Sequence, residues 1–335
     1  MTDYKAIFGK KIKFQTSDLT MSTATEGELF YSGTGTEFKV GVNINAWASG
    51  DNINTARDSL GATTQGAKDA VLAFGGHLSP PTYESVATES YDGSAWTEVG
   101  DLPVKKQLLG SAGTQTAALS FGGSKPPSPP LLTNTTEEWD GSSWTSGGAM
   151  NDSKYVHNSN AGTQTAGLGF GGYGGGNNTE EYNGTSGAEQ NNMTNGKPDM
   201  AGFGTQTAAV GYGGTTPSFA HAETEEYDGT SWTASNDMNQ INRRMGGAGV
   251  QTNGITFGGL IASGNVTNKA ENYDGTSWTV YPTLGTGRYY IGAHGATVGA
   301  AMGIGGLTTG SATSFTNITE EFNETATVRT VDTST

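Results

Sequence analysis

The sequence predicts an all-β fold built from six copies of one structural unit. The segment TEEYDGTSWT at 224–233 recurs closely at 88–97, 136–145 and 271–279, and more weakly at 179–187 and 319–327. A Gly-Gly pair precedes each copy, and the first glycines of successive pairs are 47, 49, 42, 45 and 47 residues apart. Apolar residues are grouped in short runs such as AVLAF and AALSF, which is typical of short strands. A period of this length indicates a repeat architecture.

Each unit divides into four predicted strands. The first contains a tryptophan, and a variable stretch with a basic residue follows it. A second strand and a tight turn lead to an apolar third strand that ends in Gly-Gly. After a variable loop, TEEYDG forms the fourth strand, and its Asp-Gly pair turns into the next tryptophan strand. The tryptophans of these strands are Trp47, Trp96, Trp144, Trp232 and Trp278.

An apolar strand ending in Gly-Gly, then a tyrosine and then a tryptophan, resembles the pattern of Kelch-type repeats. The resemblance covers roughly residues 47–323, and it implies a six-bladed β-propeller with one four-stranded blade per unit. We assign 1–46 to an N-terminal arm with a short β-hairpin, 47–325 to the propeller and 326–335 to a C-terminal tail. Gly187 and Thr327 stand where the third and sixth copies should have tryptophan, so the third blade is expected to be thin at its outer strand.

Two strands could close the ring of blades. The strand of Trp47 has no preceding blade in the sequence, and the last unit has no tryptophan strand. Pairing the two would hide both edges, and the strand count favours this solution. The alternative is that ATVRTV at 326–331 supplies the last outer strand.

The N-terminal arm carries a second resemblance. GELFYSGTGTEFKV at 27–40 predicts a hairpin around Ser-Gly-Thr-Gly. It is similar to short segments in the tail and fibre proteins of bacteriophages, near their attachment regions, which implies that residues 1–46 bind other virion proteins. The arm is also locally basic, with Lys5, Lys10, Lys11 and Lys13. The alternative is an arm that packs on the main domain.

Composition and charge exclude several function classes. The net charge of −15 over 335 residues disfavours binding to nucleic acid or to an anionic membrane, since both require a basic face. The chain has no cysteine, which excludes disulfides, zinc–thiolate sites and a cysteine nucleophile. Neither a secretory signal nor the ~18 apolar residues of a membrane helix are visible. We therefore expect a protein that is made in the cytoplasm and does not insert into a membrane.

The motifs for catalysis and metal binding are missing. The four histidines, His77, His157, His221 and His294, lack metal-ligand spacing and are interpreted as loop or strand residues. Some Kelch-type propellers are copper oxidases with a cysteine-linked tyrosine, which this chain cannot form. Sialidase-type propellers require an arginine cluster, and the chain has five arginines in all. We predict no cofactor, no metal and no enzymatic activity.

Two sets of charged residues recur with the repeat. An acid lies two residues before each aromatic of the fourth strand, and six copies in register indicate a structural role. These acids are Glu89, Glu137, Glu180, Glu225, Glu271 and Glu320. A basic residue lies 14–18 positions before each Gly-Gly pair: Arg57, Lys105 or Lys106, Lys154, Lys197, Arg243 or Arg244, and Arg288.

The basic residues allow two interpretations. They could form a cationic ring at the axial opening that binds an acidic sugar, a phosphate or a partner's carboxylate. Alternatively, each could pair with a nearby carboxylate such as the repeated glutamate, in which case the ring is scaffolding.

Three functions are compatible with the sequence. The first is a non-enzymatic virion protein of a phage, a tail, fibre or surface component that is oligomeric within an assembly. Its propeller loops would contact a host glycan or a neighbouring virion protein, and the variable loops at 77–88 and 124–136 are candidates. The second is a carbohydrate-active propeller enzyme. The third is a Kelch-type adaptor for a protein partner.

Overall fold

The chain forms a six-bladed β-propeller in the computed structural model, which describes residues 3–7, 10–15, 29–32, 37–80, 83–126, 131–216, 220–311 and 313–330. Strands account for 48% of the residues and helix for 1%, so the predicted all-β class is confirmed. The chain divides into two compact units, one of residues 1–46 with 323–335 and one of residues 47–322. The second unit, the propeller, ends three residues before the predicted boundary at 325.

The described chain contains 31 strands and one short 3-10 turn, Val298–Ala300. The strands are, in chain order, β1 (Asp3–Ile7), β2 (Lys10–Gln15), β3 (Leu29–Ser32), β4 (Glu37–Ser49), β5 (Gly61–Ala62), β6 (Val71–Phe74), β7 (Thr88–Tyr91), β8 (Trp96–Glu98), β9 (Gly110–Thr114), β10 (Ala117–Phe121), β11 (Ser124–Lys125), β12 (Leu131–Leu132), β13 (Thr136–Trp139), β14 (Trp144–Ser146), β15 (Asn160–Thr163), β16 (Ala166–Phe170), β17 (Thr179–Tyr182), β18 (Gly187–Gln190), β19 (Met200–Thr205), β20 (Ala208–Gly213), β21 (Thr224–Tyr227), β22 (Trp232–Ser235), β23 (Asn242–Arg243), β24 (Gly246–Val250), β25 (Asn253–Phe257), β26 (Leu260–Ile261), β27 (Ala270–Tyr273), β28 (Trp278–Tyr281), β29 (Gly292–His294), β30 (Met302–Ile304) and β31 (Thr319–Thr330). No helix in this part of the chain is long and apolar enough to span a membrane.

Five blades are four-stranded antiparallel sheets in the predicted strand order. From the inside outwards they are β5-β6-β7-β8, β9-β10-β13-β14, β15-β16-β17-β18, β19-β20-β21-β22 and β24-β25-β27-β28. The innermost strands β5, β9, β15, β19, β24 and β29 contact one another in a closed ring around the axis. Each connector from an outer strand to the next innermost strand, and each loop after a Gly-Gly pair, therefore lies on one face, here called the variable-loop face.

The Trp47 strand closes the ring, as the strand count predicted. In blade 6 the order is β29-β30-β31-β4, with β4 beside β31. The Trp47 ring packs edge-on against Phe322, with 5.3 Å between ring centroids, and its Nε1 donates to Pro282 O at 3.0 Å. The rival segment ATVRTV instead continues β31 to Thr330, so part of the predicted 326–335 tail is strand. Residues 331–335 lie outside the described residues.

A missing glycine explains why β31 does not turn back. The other five units have a glycine after Asp or Asn, and all five adopt positive φ: Gly93, Gly141, Gly184, Gly229 and Gly275. The sixth unit has Glu324 at this position. A glutamate does not readily adopt positive φ. The chain therefore stays extended, and the outer strand must come from elsewhere.

The repeated tryptophans join neighbouring blades. Trp144, Trp232 and Trp278 donate from Nε1 to the first threonine of the third strand in the preceding blade, at 2.8–3.0 Å. Blade 3 has Gly187 at this position, and Met150 packs against it. The corresponding Thr136 donates to Gly148 O instead, at 2.9 Å. The outer strand β18 still pairs with β17 at four positions, so this blade is not thin as predicted.

A second link between blades shows matched substitutions. Tyr91, Tyr182, Tyr227 and Tyr273 donate from their hydroxyls to a glutamate of the preceding blade, which is Glu321, Glu138, Glu181 and Glu226 respectively. Blade 2 has Trp139 and blade 6 has Phe322 in place of tyrosine. The preceding blades have Ser90 and Asn272 in place of glutamate. The acid is thus absent at the two junctions where no phenol is present to donate to it.

The unit at the N-terminus contains the predicted hairpin. Strand β3 pairs antiparallel with β4 from Leu29–Val40 to Ser32–Glu37, and the turn at 33–36 lies outside the described residues. Strand β2 pairs parallel with β3 and antiparallel with β1. Of the two proline-rich loops, residues 81–82 and 127–130 likewise lie outside the described part.

Candidate binding site at the axial mouth

The basic residues predicted to ring the axial opening are mostly buried in ion pairs. Four of them pair with the repeated glutamate of the blade that follows in sequence: Arg57 with Glu89 at 3.1 Å, Lys106 with Glu137 at 2.5 Å, Lys154 with Glu180 at 3.5 Å and Arg288 with Glu320 at 2.7 Å. These eight side chains are at most 6% exposed. Lys197 pairs with Glu223 instead, at 3.3 Å, and is 9% exposed. For these five residues the structure therefore supports the alternative interpretation, in which each cation pairs with a nearby carboxylate, rather than a cationic ring open to a ligand.

Five of the six repeated glutamates also accept backbone hydrogen bonds from the connector that enters their own blade. Glu180 accepts the backbone N–H groups of Asn151 and Asp152, and Glu225 accepts those of Thr194 and Asn195. Glu89, Glu271 and Glu320 make equivalent bonds to Asn54, Asn239 and Gly285. Burial lowers the pKa of Lys106, Lys154, Arg57 and Arg288, and the paired carboxylates oppose that shift. The ion pairs and these backbone hydrogen bonds together hold the connector in place before the innermost strand of the blade.

The remaining basic candidates differ from these pairs. Lys105 is exposed at the surface beside the buried Lys106. Arg243 donates from Nη1 to Thr215 Oγ1 at 3.4 Å. Arg244 alone among the predicted cations reaches the axial opening, and its side chain is 27% exposed. Sequence spacing placed all six on one ring, but the direction of each side chain decides which of them a ligand can reach.

Each connector contains a residue with positive φ one or two positions before its innermost strand. These residues are Ser59, Leu108, Asn158, Asp199, Arg244 and Tyr290, with φ between 54° and 59°. Backbone hydrogen bonds link neighbours around the axis, such as Tyr290 N to Arg244 O at 3.0 Å and Arg244 N to Asp199 O at 2.9 Å. The backbone conformation repeats six times, whereas the residue type differs in every copy. The repeat therefore does not dictate these side chains, and they are available for a function.

Four of these connectors bring polar and aromatic groups together at the opening. Arg244 Nε donates to Asp199 Oδ2 at 2.9 Å, and its guanidinium lies 4.5 Å from the ring centroid of Tyr290. The Tyr290 hydroxyl donates to Asp199 Oδ1 at 3.3 Å. His157 meets the Tyr290 ring edge-on at 5.7 Å. Together with Tyr155, these residues form a cluster here called the axial mouth, which lines a shallow depression that leaves no room for a water molecule.

His157, one of the residues that line this depression, has an unpartnered ring nitrogen. The residue is 5% exposed, and its Nε2 has no hydrogen-bond partner. Burial lowers the pKa of His157 to about 4, while a hydrogen bond to the Leu60 backbone acts to raise it. A bond that raises a histidine pKa is one in which the ring N–H donates. The other ring nitrogen makes that bond, so Nε2 is the unprotonated acceptor nitrogen of the neutral ring, and it is buried.

The axial mouth is closed below. Asn158 Nδ2 donates across the axis to Met245 O at 3.0 Å and to Ile291 O at 2.8 Å. Near the opposite end, Thr64 and Gln65 reach across to Gly162 O and Gly204 O. The described residues therefore leave a blind depression on the variable-loop face rather than an open channel.

Aromatic side chains extend from the axial mouth onto the variable-loop face. The Tyr155 ring stacks on Tyr173, with centroids 5.2 Å apart and the planes 10° from parallel, and Tyr173 is 56% exposed. Towards blade 1, the His77 ring stacks on Tyr83, which is 49% exposed. Exposed aromatic rings next to convergent polar groups are typical of ligand sites.

Comparisons with known proteins add no assignment: no protein-family model matches the chain, and no curated protein matches it. Among the described residues, no group of three or more histidine, aspartate or glutamate side chains could hold a metal ion.

Sequence reasoning missed Tyr155, His157, Asp199 and Tyr290. A signal was nevertheless present, because the residue before Leu60, Leu109, Met200, Met245 and Ile291 differs in every copy of the repeat.

Proposed function

We propose that this chain is a non-enzymatic Kelch-type propeller of a phage virion, a tail, fibre or surface component whose variable-loop face contacts a host glycan. The observation that carries the proposal is the axial mouth, where Arg244, Asp199, His157 and Tyr290 converge at positions that the repeat leaves free. The other recurring charges are used within the blades, whereas Arg244, Asp199 and Tyr290 stand at a position whose residue type differs in every copy of the repeat.

The groups at the axial mouth favour binding over catalysis. Burial, reinforced by the nearby Asp199, raises the pKa of Tyr155 and of Tyr290, so both phenols stay protonated. A tyrosine nucleophile requires the opposite shift. Among the described residues, Asp199 is the one carboxylate that lines the depression, whereas glycoside hydrolysis generally uses two. The alternative of a carbohydrate-active enzyme therefore has less support than a binding site.

The virion assignment is supported by the arm. The segment at 27–40 is similar to phage tail and fibre segments, and residues 1–46 contribute to a compact unit separate from the propeller. We propose that this unit binds other virion proteins in an oligomeric assembly and that the protein is made in the host cytoplasm. The net charge of −15 agrees with partners other than nucleic acid.

Quantitative mass spectrometry of purified virions from the source tests this proposal. We expect the chain at a fixed copy number per particle. Its absence from particles would contradict the virion role, and in that case a Kelch-type adaptor for a protein partner becomes the better reading.

A further inference from the structure

We propose that the propeller docks an acidic segment of a partner protein on the part of the variable-loop face that blades 1 to 3 form. This surface, here called the apolar rim, carries the side chains of Tyr83, Val104, Lys105, Lys125, Leu131 and Tyr173. The inference goes beyond the proposed glycan contact, because it assigns a second partner of different chemistry to a surface outside the axial mouth.

The exposed large apolar side chains of the propeller are concentrated on one face. The described residues of the propeller include seven such side chains, and five of them belong to connectors or loops of the variable-loop face. Four of these five lie on the apolar rim, and the fifth, Ile241, precedes blade 5. A single exposed apolar side chain is ordinary, but a group of them confined to one region marks an interaction site.

The connector between blades 1 and 2 is bonded to a loop on either side of it. Lys106 N donates to Ser85 O at 3.2 Å, in the loop that follows the Gly-Gly pair of blade 1. Gln107 N donates to Ser124 O at 3.0 Å, in the corresponding loop of blade 2. The connector therefore lies between these two loops, and the exposed apolar side chains of all three segments belong to one surface.

The loop of blade 3 continues this surface. A methyl group added to Gly174 would lie 2.6 Å from Leu132 Cδ1, so the blade 2 loop packs against the residue that follows Tyr173. The Tyr173 ring stacks on Tyr155, and the exposed tyrosine of blade 1 stacks on His77. A ring that is already held by a second ring loses little rotamer freedom on binding, and tyrosine is enriched among the residues that dominate binding energy at protein interfaces.

Positive charge predominates among the accessible charged groups of the apolar rim. The described residues of its connector and loops expose Lys105 and Asp101, and Lys125 is half-buried. Two more charged residues of these segments, Glu84 and Lys106, are buried. Two lysines and one aspartate give the accessible groups a net charge of +1, on a chain whose net charge is −15.

The opposite face of the propeller has the reverse charge. Its Asp-Gly turns expose one aspartate in each of four blades: Asp92, Asp140, Asp228 and Asp274. An acidic partner is therefore repelled from that face and attracted to the apolar rim. A segment that buries aliphatic or aromatic side chains on the rim, with carboxylates beside the two lysines, complements the rim in both shape class and charge.

Selection from a random peptide library displayed on yeast, with the purified full-length protein as target, tests the assignment. We expect enrichment of peptides that combine aspartate or glutamate with phenylalanine, leucine or tryptophan. Fluorescence polarisation then measures the affinity of the enriched peptides. We expect the affinity to fall about tenfold or more in Lys105→Glu, which reverses a rim charge, and in Tyr173→Ser, which removes an exposed ring.

Two variants outside the apolar rim are matched controls. Lys269→Glu makes the same charge change at an exposed lysine of blade 5, and Val280→Ser removes an exposed apolar side chain from an outer strand. Both should bind the selected peptides as the wild type does. Circular dichroism checks that all four variants keep the fold.

Enrichment of no acidic peptide, enrichment of basic peptides, or unchanged affinity in Lys105→Glu and Tyr173→Ser would overturn the inference. Binding of maltohexaose, a neutral oligosaccharide, that Tyr173→Ser abolishes while no peptide is enriched would show a sugar platform instead. Self-association in sedimentation that Lys105→Glu abolishes would assign the rim to a second copy, and it too would overturn the inference. Presence in virions is measured independently of these affinities, so this inference and the virion role can each fail alone.

Discussion

Replacing Lys106 by methionine should destabilise the propeller by about 3–5 kcal/mol, because it leaves the Glu137 carboxylate buried without a counter-ion. Lys106 Nζ lies 2.5 Å from Glu137 Oε2, and the two side chains are 0% and 3% exposed. After the change, the Glu137 carboxylate keeps hydrogen bonds from Ser120 Oγ to Oε2 at 3.0 Å and from Thr135 Oγ1 to Oε1 at 3.3 Å. Each such bond contributes about 1 kcal/mol, and the two together do not offset the cost of the buried charge.

A double-mutant cycle separates the ion pair from simple loss of packing. Glu137→Gln should also destabilise by roughly 3 kcal/mol, since it strands the lysine charge. The double variant should lose less than the sum of the two single changes, by about 1–3 kcal/mol. The neighbouring Lys105→Met is the matched control, because Lys105 is exposed and should change stability by no more than about 0.5 kcal/mol.

Urea unfolding followed by tryptophan fluorescence and circular dichroism gives all four free energies. A Lys106→Met cost below about 1 kcal/mol would refute the reasoning, because such a small cost is typical of a solvated surface cation. Strict additivity of the two changes would show that Lys106 and Glu137 do not stabilise the fold as a pair.

Three further predictions concern closure, the turns and pH. Trp47→Ala should cost ~3–5 kcal/mol in urea unfolding, because the ring packs on Phe257 and Phe322 at the closing blade, and a loss below about 1 kcal/mol would contradict closure by β4. Gly141→Ala should lower stability by roughly 1 kcal/mol because φ is 96° there. Gly310→Ala is the comparison, because φ there lies outside the positive range and an added methyl group would contact nothing within 4 Å, so stability should change by no more than about 0.5 kcal/mol. The turn hydrogen bonds from backbone and serine groups lower the pKa of Asp140 to about 2, below the unfolded value of ~3.9, so its stabilisation is present above that unfolded value and is lost as pH falls towards 2. Asp140→Asn should therefore flatten the acid limb of the stability curve, since Asn183 makes the same two backbone bonds in blade 3, and an unchanged acid limb would refute this assignment.

The sequence was sufficient to predict the blades because each one is encoded locally. The Gly-Gly pair, the apolar strand and the Asp-Gly turn all lie within one unit, and their physical requirements recur six times. Even closure followed from counting strands. The strand count does not explain why the last unit lacks its own outer strand. Glu324 explains it, because the other units have a positive-φ glycine at that position and can turn back there.

The site could not be predicted in the same way because it depends on side-chain direction. Lys105 and Lys106 are neighbours in sequence, yet one is exposed and the other is buried against Glu137. The side chains of Arg243 and Arg244 likewise point to different partners, Arg243 to Thr215 and Arg244 to Asp199. Tyr155, Asp199 and Tyr290 belong to three different units, and only the closed ring brings them together.

We propose that the protein binds its partner through the variable-loop face. The most direct test is to attach a bulky label to one face of the propeller at a time and to measure binding. The chain has no cysteine, so a single introduced cysteine can be labelled uniquely with a bulky polyethylene glycol maleimide. Ser263→Cys and Thr252→Cys are matched exposed positions in the loops that flank opposite ends of blade 5, Ser263 on the variable-loop face and Thr252 in the tight turn between β24 and β25. Binding of the labelled proteins to host cells is then measured. We expect the label at Ser263 to reduce binding tenfold or more and the label at Thr252 to leave it unchanged. The reverse pattern, or equal binding by both labelled proteins, would contradict binding through the variable-loop face.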